Sequence, residues 1–84
     1  MTDDAQKASP DVEAMVSSIC AKVLGVPDLQ PDSDIFDLGA DSIHVTQIAA
    51  RLHDAWRIEV TYPEIFEAST VARISALVNS RLSK

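Results

Sequence analysis

Few residues in this 84-residue chain could do chemistry, and the densest group of them is Asp37-Leu38-Gly39-Ala40-Asp41-Ser42-Ile43. An acidic turn containing a glycine runs into Asp-Ser, and a helical apolar pattern starts at once. Ser42 is therefore expected at a helix N-terminus with its hydroxyl in water. There the macrodipole and the free backbone N–H groups favour an anion such as a phosphate ester. The plainer use of a serine at such a place is as an N-cap, and position and composition alone leave that reading ahead.

Catalysis by this chain asks for more than the sequence offers. A serine nucleophile needs a histidine base that is itself oriented by an acid. His44 stands about 200° around the helix from Ser42, so it cannot easily reach the hydroxyl. Gly39-Ala40-Asp41-Ser42 is no G-x-S-x-G elbow either, and no strand precedes it. The aspartates at 32, 34, 37 and 41 suggest calcium, but Ile35 and Phe36 interrupt the alternation that an EF-hand loop requires. Zinc is disfavoured as well, because Cys20, His44 and His53 give neither an i,i+4 pair nor four ligands. Both histidines read as surface residues, and Cys20 as a small hydrophobe in the core.

The elements that must position Ser42 follow from periodicity. Residues 1–8 are polar and small and should form a disordered tail, with a single domain over residues 9–82. Ser9-Pro10-Asp11 reads as a helix start. Val12, Met15, Val16, Ile19, Cys20, Val23 and Leu24 then form one apolar stripe, which Gly25 and Pro27 end. A long connection over residues 26–41 carries five aspartates, and in it Ile35, Phe36 and Leu38 should anchor to the core.

The second helix should start at Asp41 or Ser42 and run to about Trp56, burying Val45, Ile48, Ala49, Leu52 and Ala55 or Trp56. Ile43 lies about 180° from Leu52 on that wheel and shares its face with Thr46, Gln47, Ala50 and Asp54. An isoleucine exposed beside the serine is expected to touch a partner. Ile58 and Val60 should point inward from an extended connection. A short helix from Thr61 through about Ala68 follows, with Ile65 and Phe66 buried. Ser69 or Thr70 should cap a last helix that buries Val71, Ile74, Leu77, Val78 and Leu82 and turns Arg73 and Arg81 toward solvent. The sum is an all-α four-helix bundle, three longer helices and one short one, with a long first loop.

Charge narrows the partners. The net charge is −6: residues 1–27 sum to −2, residues 28–50 to −5 and residues 51–84 to +1. Such a field repels nucleic acid and anionic membrane and speeds encounter with basic protein surfaces. With no long apolar run and no signal-peptide pattern, a cytoplasmic monomer is expected.

The stretch Asp37 to Ile43 resembles the phosphopantetheine attachment site of acyl and peptidyl carrier proteins, and the similarity runs over roughly residues 12–80. The resemblance implies that Ser42 takes a 4′-phosphopantetheine arm from coenzyme A and that the arm holds acyl or aminoacyl groups as thioesters. It makes Asp41 the neighbour that helps the modifying enzyme engage and Ile43 the aliphatic contact; Thr46, Gln47 and Ala50, which share the Ile43 face of the helical wheel, are expected on the same partner-facing surface. Ile65-Phe66-Glu67-Ala68-Ser69-Thr70-Val71 looks closer to peptidyl carriers, although Ser69 stands where they commonly have proline. Ala40 departs from their frequent Gly-Gly form.

The implied function is that of a discrete, non-catalytic carrier of natural-product biosynthesis. Its implied partners are a phosphopantetheinyl transferase, an adenylation or acyl-activating enzyme, and condensation, tailoring or thioesterase enzymes. The alternatives are an acyl carrier protein of polyketide or fatty acid type and a noncatalytic helical interaction module.

Overall fold

The structure, a computed structural model, describes residues 10–83, so the expected tail and the expected cap Ser9 lie outside it. Four helices follow in order: α1 (Pro10–Leu24), α2 (Ser42–Trp56), α3 (Tyr62–Glu67) and α4 (Val71–Leu82). The one extended pairing among the described residues is an isolated antiparallel bridge between Asp34 and Thr70. The all-α architecture with three longer helices, one short helix and a long first connection is as expected.

The helices start and stop for local reasons. Gly25 at φ +72° ends α1, and the Gly25 and Val26 N–H groups both donate to the Ala21 carbonyl. Thr61 caps α3, and Glu64 reaches back to the Thr61 N–H to complete a capping box. Thr70 rather than Ser69 caps α4. Arg57, at φ 58°, closes α2 in the left-handed region that usually takes glycine, which the sequence did not announce.

α1 packs against both α2 and α4, and α3 packs on α2. Val16, Cys20, Val45, Ile48, Leu52, Ile65, Ile74 and Val78 are fully buried at the centre, and Ile35 joins them from the long connection. Ile58 and Val60 point inward from the α2–α3 connection, as expected. Burial pushes the Cys20 thiol up to about 12, so it stays protonated and inert at neutral pH. Ser75 is buried with its hydroxyl satisfied by the Val71 carbonyl at 2.8 Å.

Five expected placements are corrected. Met15 is 47% exposed, because it lies at the edge of a stripe centred on Val16 and Cys20. Leu38 is 43% exposed: its N–H folds back onto the Ile35 carbonyl, and the turn that buries Ile35 carries Leu38 outward. Phe66 is 55% exposed, since a six-residue helix has one inward position and Ile65 takes it. Leu82 is 43% exposed at the last position of α4, where the helix end leaves it with fewer neighbours than the mid-helix positions. Arg81 does not simply face solvent: its guanidinium donates to the Glu59 carbonyl and to the Glu64 carboxylate, tying α4 to the start of α3.

Candidate functional site

The approach to Ser42 is a stack of tight turns. Leu38 and Ala40 N–H groups donate to the Ile35 carbonyl at 3.1 and 3.0 Å, and the Gly39 N–H donates to the Phe36 carbonyl at 3.1 Å. Gly39 adopts φ +103°, a conformation open to glycine and strained for any side chain. Buried Ile35 anchors this stack from below.

Asp41, not Ser42, is the N-cap of α2. Its Oδ1 accepts the Ile43 and His44 N–H groups at 3.0 and 3.2 Å. His44 completes the box from the other side, with Nδ1 accepting the Asp41 N–H at 3.1 Å. The same Nδ1 lies 3.0 Å from Asp41 Oδ1. Without a proton it accepts from the Asp41 backbone, and with one it donates to the Asp41 carboxylate. Asp41 engages the imidazole in both states, which keeps Nδ1 from serving Ser42 as a base. The His44 N–H, more than any other contact, holds the Asp41 carboxyl below its ordinary range.

Ser42 is therefore the first helical residue, and the plainer reading of it as the cap is set aside. It is exposed, and its hydroxyl makes no hydrogen bond among the described residues. Its carbonyl accepts from the Thr46 hydroxyl at 2.9 Å, which fixes the backbone and leaves Oγ alone. An anion esterified at Oγ would stand at the positive end of a 15-residue helix, so the site fits a phosphate group.

A family model described as "Phosphopantetheine attachment site" matches residues 15–78. The chain belongs to this family of phosphopantetheine-bearing carrier domains. Its cofactor is 4′-phosphopantetheine. A linear gramicidin synthase of Brevibacillus parabrevis is 40% identical over 63 residues, which are 75% of this carrier and 1% of that synthase. The carrier spans between 1% and 5% of the length of the curated peptide synthetases it matches. Among solved structures, BlmI, a type-II acyl carrier protein from Streptomyces verticillus involved in bleomycin biosynthesis, aligns with a TM-score of 0.82. It is 29% identical, and the alignment covers 86% of this chain and 87% of that one. A nonribosomal PCP domain aligns at 29% identity and a TM-score of 0.74, covering 82% and 88%.

Around Ser42 the carrier presents the face expected of α2: Ile43 is 65% exposed, and Thr46, Gln47 and Ala50 are exposed beside it. Sequence reasoning missed an aromatic ladder. The Phe36 and Phe66 rings meet edge-to-face with centroids 4.9 Å apart, and Tyr62 stacks on Phe66 at 5.7 Å. Phe36 is half-buried and packs against the core, as expected, and its ring also meets the exposed Phe66. No sequence signal marks this pairing, which joins residues thirty positions apart. No helix among the described residues is long and apolar enough to cross a membrane.

Proposed function

We propose that Ser42 is the residue that bears the phosphopantetheine arm and that this carrier presents aminoacyl or peptidyl thioesters to successive enzymes. One observation carries the reading: the cap of α2 is made by Asp41 and His44, which leaves the Ser42 hydroxyl exposed at the first turn without a hydrogen-bond partner among the described residues. The hydroxyl attacks the pyrophosphate of coenzyme A and forms a phosphodiester as the nucleotide departs. Its proton leaves to a base on the modifying enzyme, because His44 Nδ1 is held by Asp41. The chain then acts as a handle and not as an enzyme.

Aminoacyl cargo is supported by the peptide synthetases among its relatives. The partners this implies are a phosphopantetheinyl transferase, an adenylation enzyme, and condensation, tailoring or thioesterase enzymes, met in the cytoplasm by a monomer. Asp41 would orient the modifying enzyme, and Ile43, Thr46, Gln47 and Ala50 would form the contact surface. Acidic residues around them, Asp37 among them, favour basic partner surfaces.

Incubation of the full chain with coenzyme A and a broad-specificity phosphopantetheinyl transferase tests this directly. Intact mass should rise by one phosphopantetheine group in the wild type and not at all in Ser42→Ala, while both melt together. A Ser42→Ala chain that still gains the mass would move the attachment elsewhere.

A further inference from the structure

Asp34 uses its carboxylate differently from the other aspartates of the long connection. One oxygen, Oδ1, accepts the Phe36 N–H at 2.8 Å and the Asp37 N–H at 3.4 Å, which closes the turn on its own segment. The other, Oδ2, accepts the Ser69 hydroxyl at 2.9 Å, thirty-five residues away at the α3–α4 junction. The backbone repeats the tie: the Ile35 N–H donates to the Ser69 carbonyl at 2.9 Å, and the Ala72 N–H to the Pro31 carbonyl at 2.8 Å. Asp28, Asp32 and Asp37 are exposed, and their carboxylates accept no hydrogen bond among the described residues.

From Asp34 a stack of hydrogen-bonded turns runs to Ala40, which directly precedes the cap residue Asp41 in sequence. The Ile35 carbonyl takes the Leu38 and Ala40 N–H groups, the Phe36 carbonyl takes that of Gly39, and Asp41 then caps the helix that Ser42 begins. The junction thus ties the turns that precede Ser42 to the start of α4, in addition to the packing of α2 itself. The Ser69 bond is also the main reason that the Asp34 carboxyl lies below its ordinary range.

We infer that Asp34 and Ser69 are positioning residues for the modification of Ser42, holding the turn stack that places its hydroxyl. This rests on the reading of Ser42 as the attachment residue. It gives Asp34 a role distinct from the acidic field: the carboxylate acts inside the chain and not on a partner. When the tie is lost, only a fraction of the free carrier holds the turn stack in its competent form, so the apparent affinity falls by that fraction while the carrier, once bound, reacts as before.

Transfer kinetics from coenzyme A by the same transferase, at low and high salt, separate the two roles. Ser69→Ala and Asp34→Ala should each raise the KM for the carrier by roughly three- to tenfold, the order expected for the net loss of one intramolecular hydrogen bond, with little change in kcat. The rise should persist at high salt, and the double variant should be no worse than Asp34→Ala alone, as for two residues sharing one interaction. Asp34→Asn should recover most of the loss, since its amide oxygen can accept from Phe36 and its NH2 can donate to the Ser69 hydroxyl. Asp37→Asn, a loss of surface charge, should cost less, and only at low salt.

The inference fails if folded Ser69→Ala keeps the wild-type KM. It fails equally if Asp34→Asn is as poor as Asp34→Ala and high salt erases the defect, which would make Asp34 a partner contact. A wild-type chain that gains no mass would sink the attachment reading instead. Hydrogen exchange at the Phe36 and Asp37 amides then still decides the tie: faster exchange in Ser69→Ala supports it, and unchanged exchange overturns it.

Discussion

Along one face of α2, Val45, Ile48 and Leu52 are completely buried; along the other, Ile43, Thr46, Gln47 and Ala50 are exposed. The first face places the helix by packing on α1 and α3. The second contributes almost nothing to that packing, although Ile43 is as apolar as Ile48. The difference is that the two isoleucines stand on opposite sides of a wheel whose N-terminus is fixed by a self-contained cap. Stability and recognition are thus carried by different residues of one helix, and substitutions should affect one without the other.

The largest effect should come from the buried face. Leu52→Ala leaves a cavity at the junction of α2 with the core, and such truncations cost about 2–5 kcal/mol. Domains of this kind are stable by about 5–15 kcal/mol in total, so the variant should be close to unfolding at the upper end. Urea denaturation followed by helix circular dichroism measures it. A midpoint near that of the wild type would mean that the buried face is less tightly packed than its accessibility indicates.

How much of this was legible in the sequence depends on the length of the element. On α2, fifteen residues of clean periodicity separated Leu52 from Ile43 correctly and placed the helix end at Trp56. On α3, six residues give fewer than two turns, and the wheel could not choose between Ile65 and Phe66. The outward turn of Leu38 is not legible in the sequence because turns have no period, and only the hydrogen bonds to the Ile35 carbonyl show which way it faces. The caps were half legible: Asp41 and Thr70 are ordinary cap types, whereas a histidine in the place usually taken by Glu or Gln in a capping box is not a pattern to search for. Asp34 looked like one acid among five because its partner Ser69 is distant in sequence. The attachment motif itself was read correctly as to family, because that information lies in a contiguous string.

A smaller effect should come from the end of the helix, between the two faces. The Asp41 carboxyl is held below its ordinary range, first by the His44 N–H. A depressed carboxyl stabilises the fold above its unfolded pKa, and this contribution is lost as pH falls through the lower folded value. Glu64, held down first by the Thr61 N–H and then by Arg81, has the same sign, as has Asp34 through Ser69. Stability of the wild type should therefore decline as pH drops below about 4, the ordinary carboxylate range. Asp41→Asn keeps a capping oxygen and loses the titration, so its urea midpoint should fall less steeply between neutral pH and acid. Parallel declines in the two proteins would remove Asp41 from the account and leave Glu64 and Asp34.

The smallest effect on stability should come from the exposed face, and it is the sharpest test of the comparison. Ile43→Ala removes apolar surface that is already mostly in water, so it should shift stability by less than about 0.5 kcal/mol. Alanine is also the better helix former by a few tenths of a kcal/mol, at most about 0.7, which pushes the balance toward no change or a slight gain. If Ile43 touches the modifying enzyme, the same substitution should raise the KM for transfer to Ser42 while leaving helix content and urea midpoint alone. Thr46→Ala on that face is a useful companion, because it deletes the hydroxyl bond to the Ser42 carbonyl while leaving Ile43 in place. A defect in Ile43→Ala that is absent in Thr46→Ala would assign the contact to the isoleucine side chain. Equal defects would instead remove the special place of Ile43 and make Thr46 as important, through its own contact on that face or through its bond to the Ser42 carbonyl.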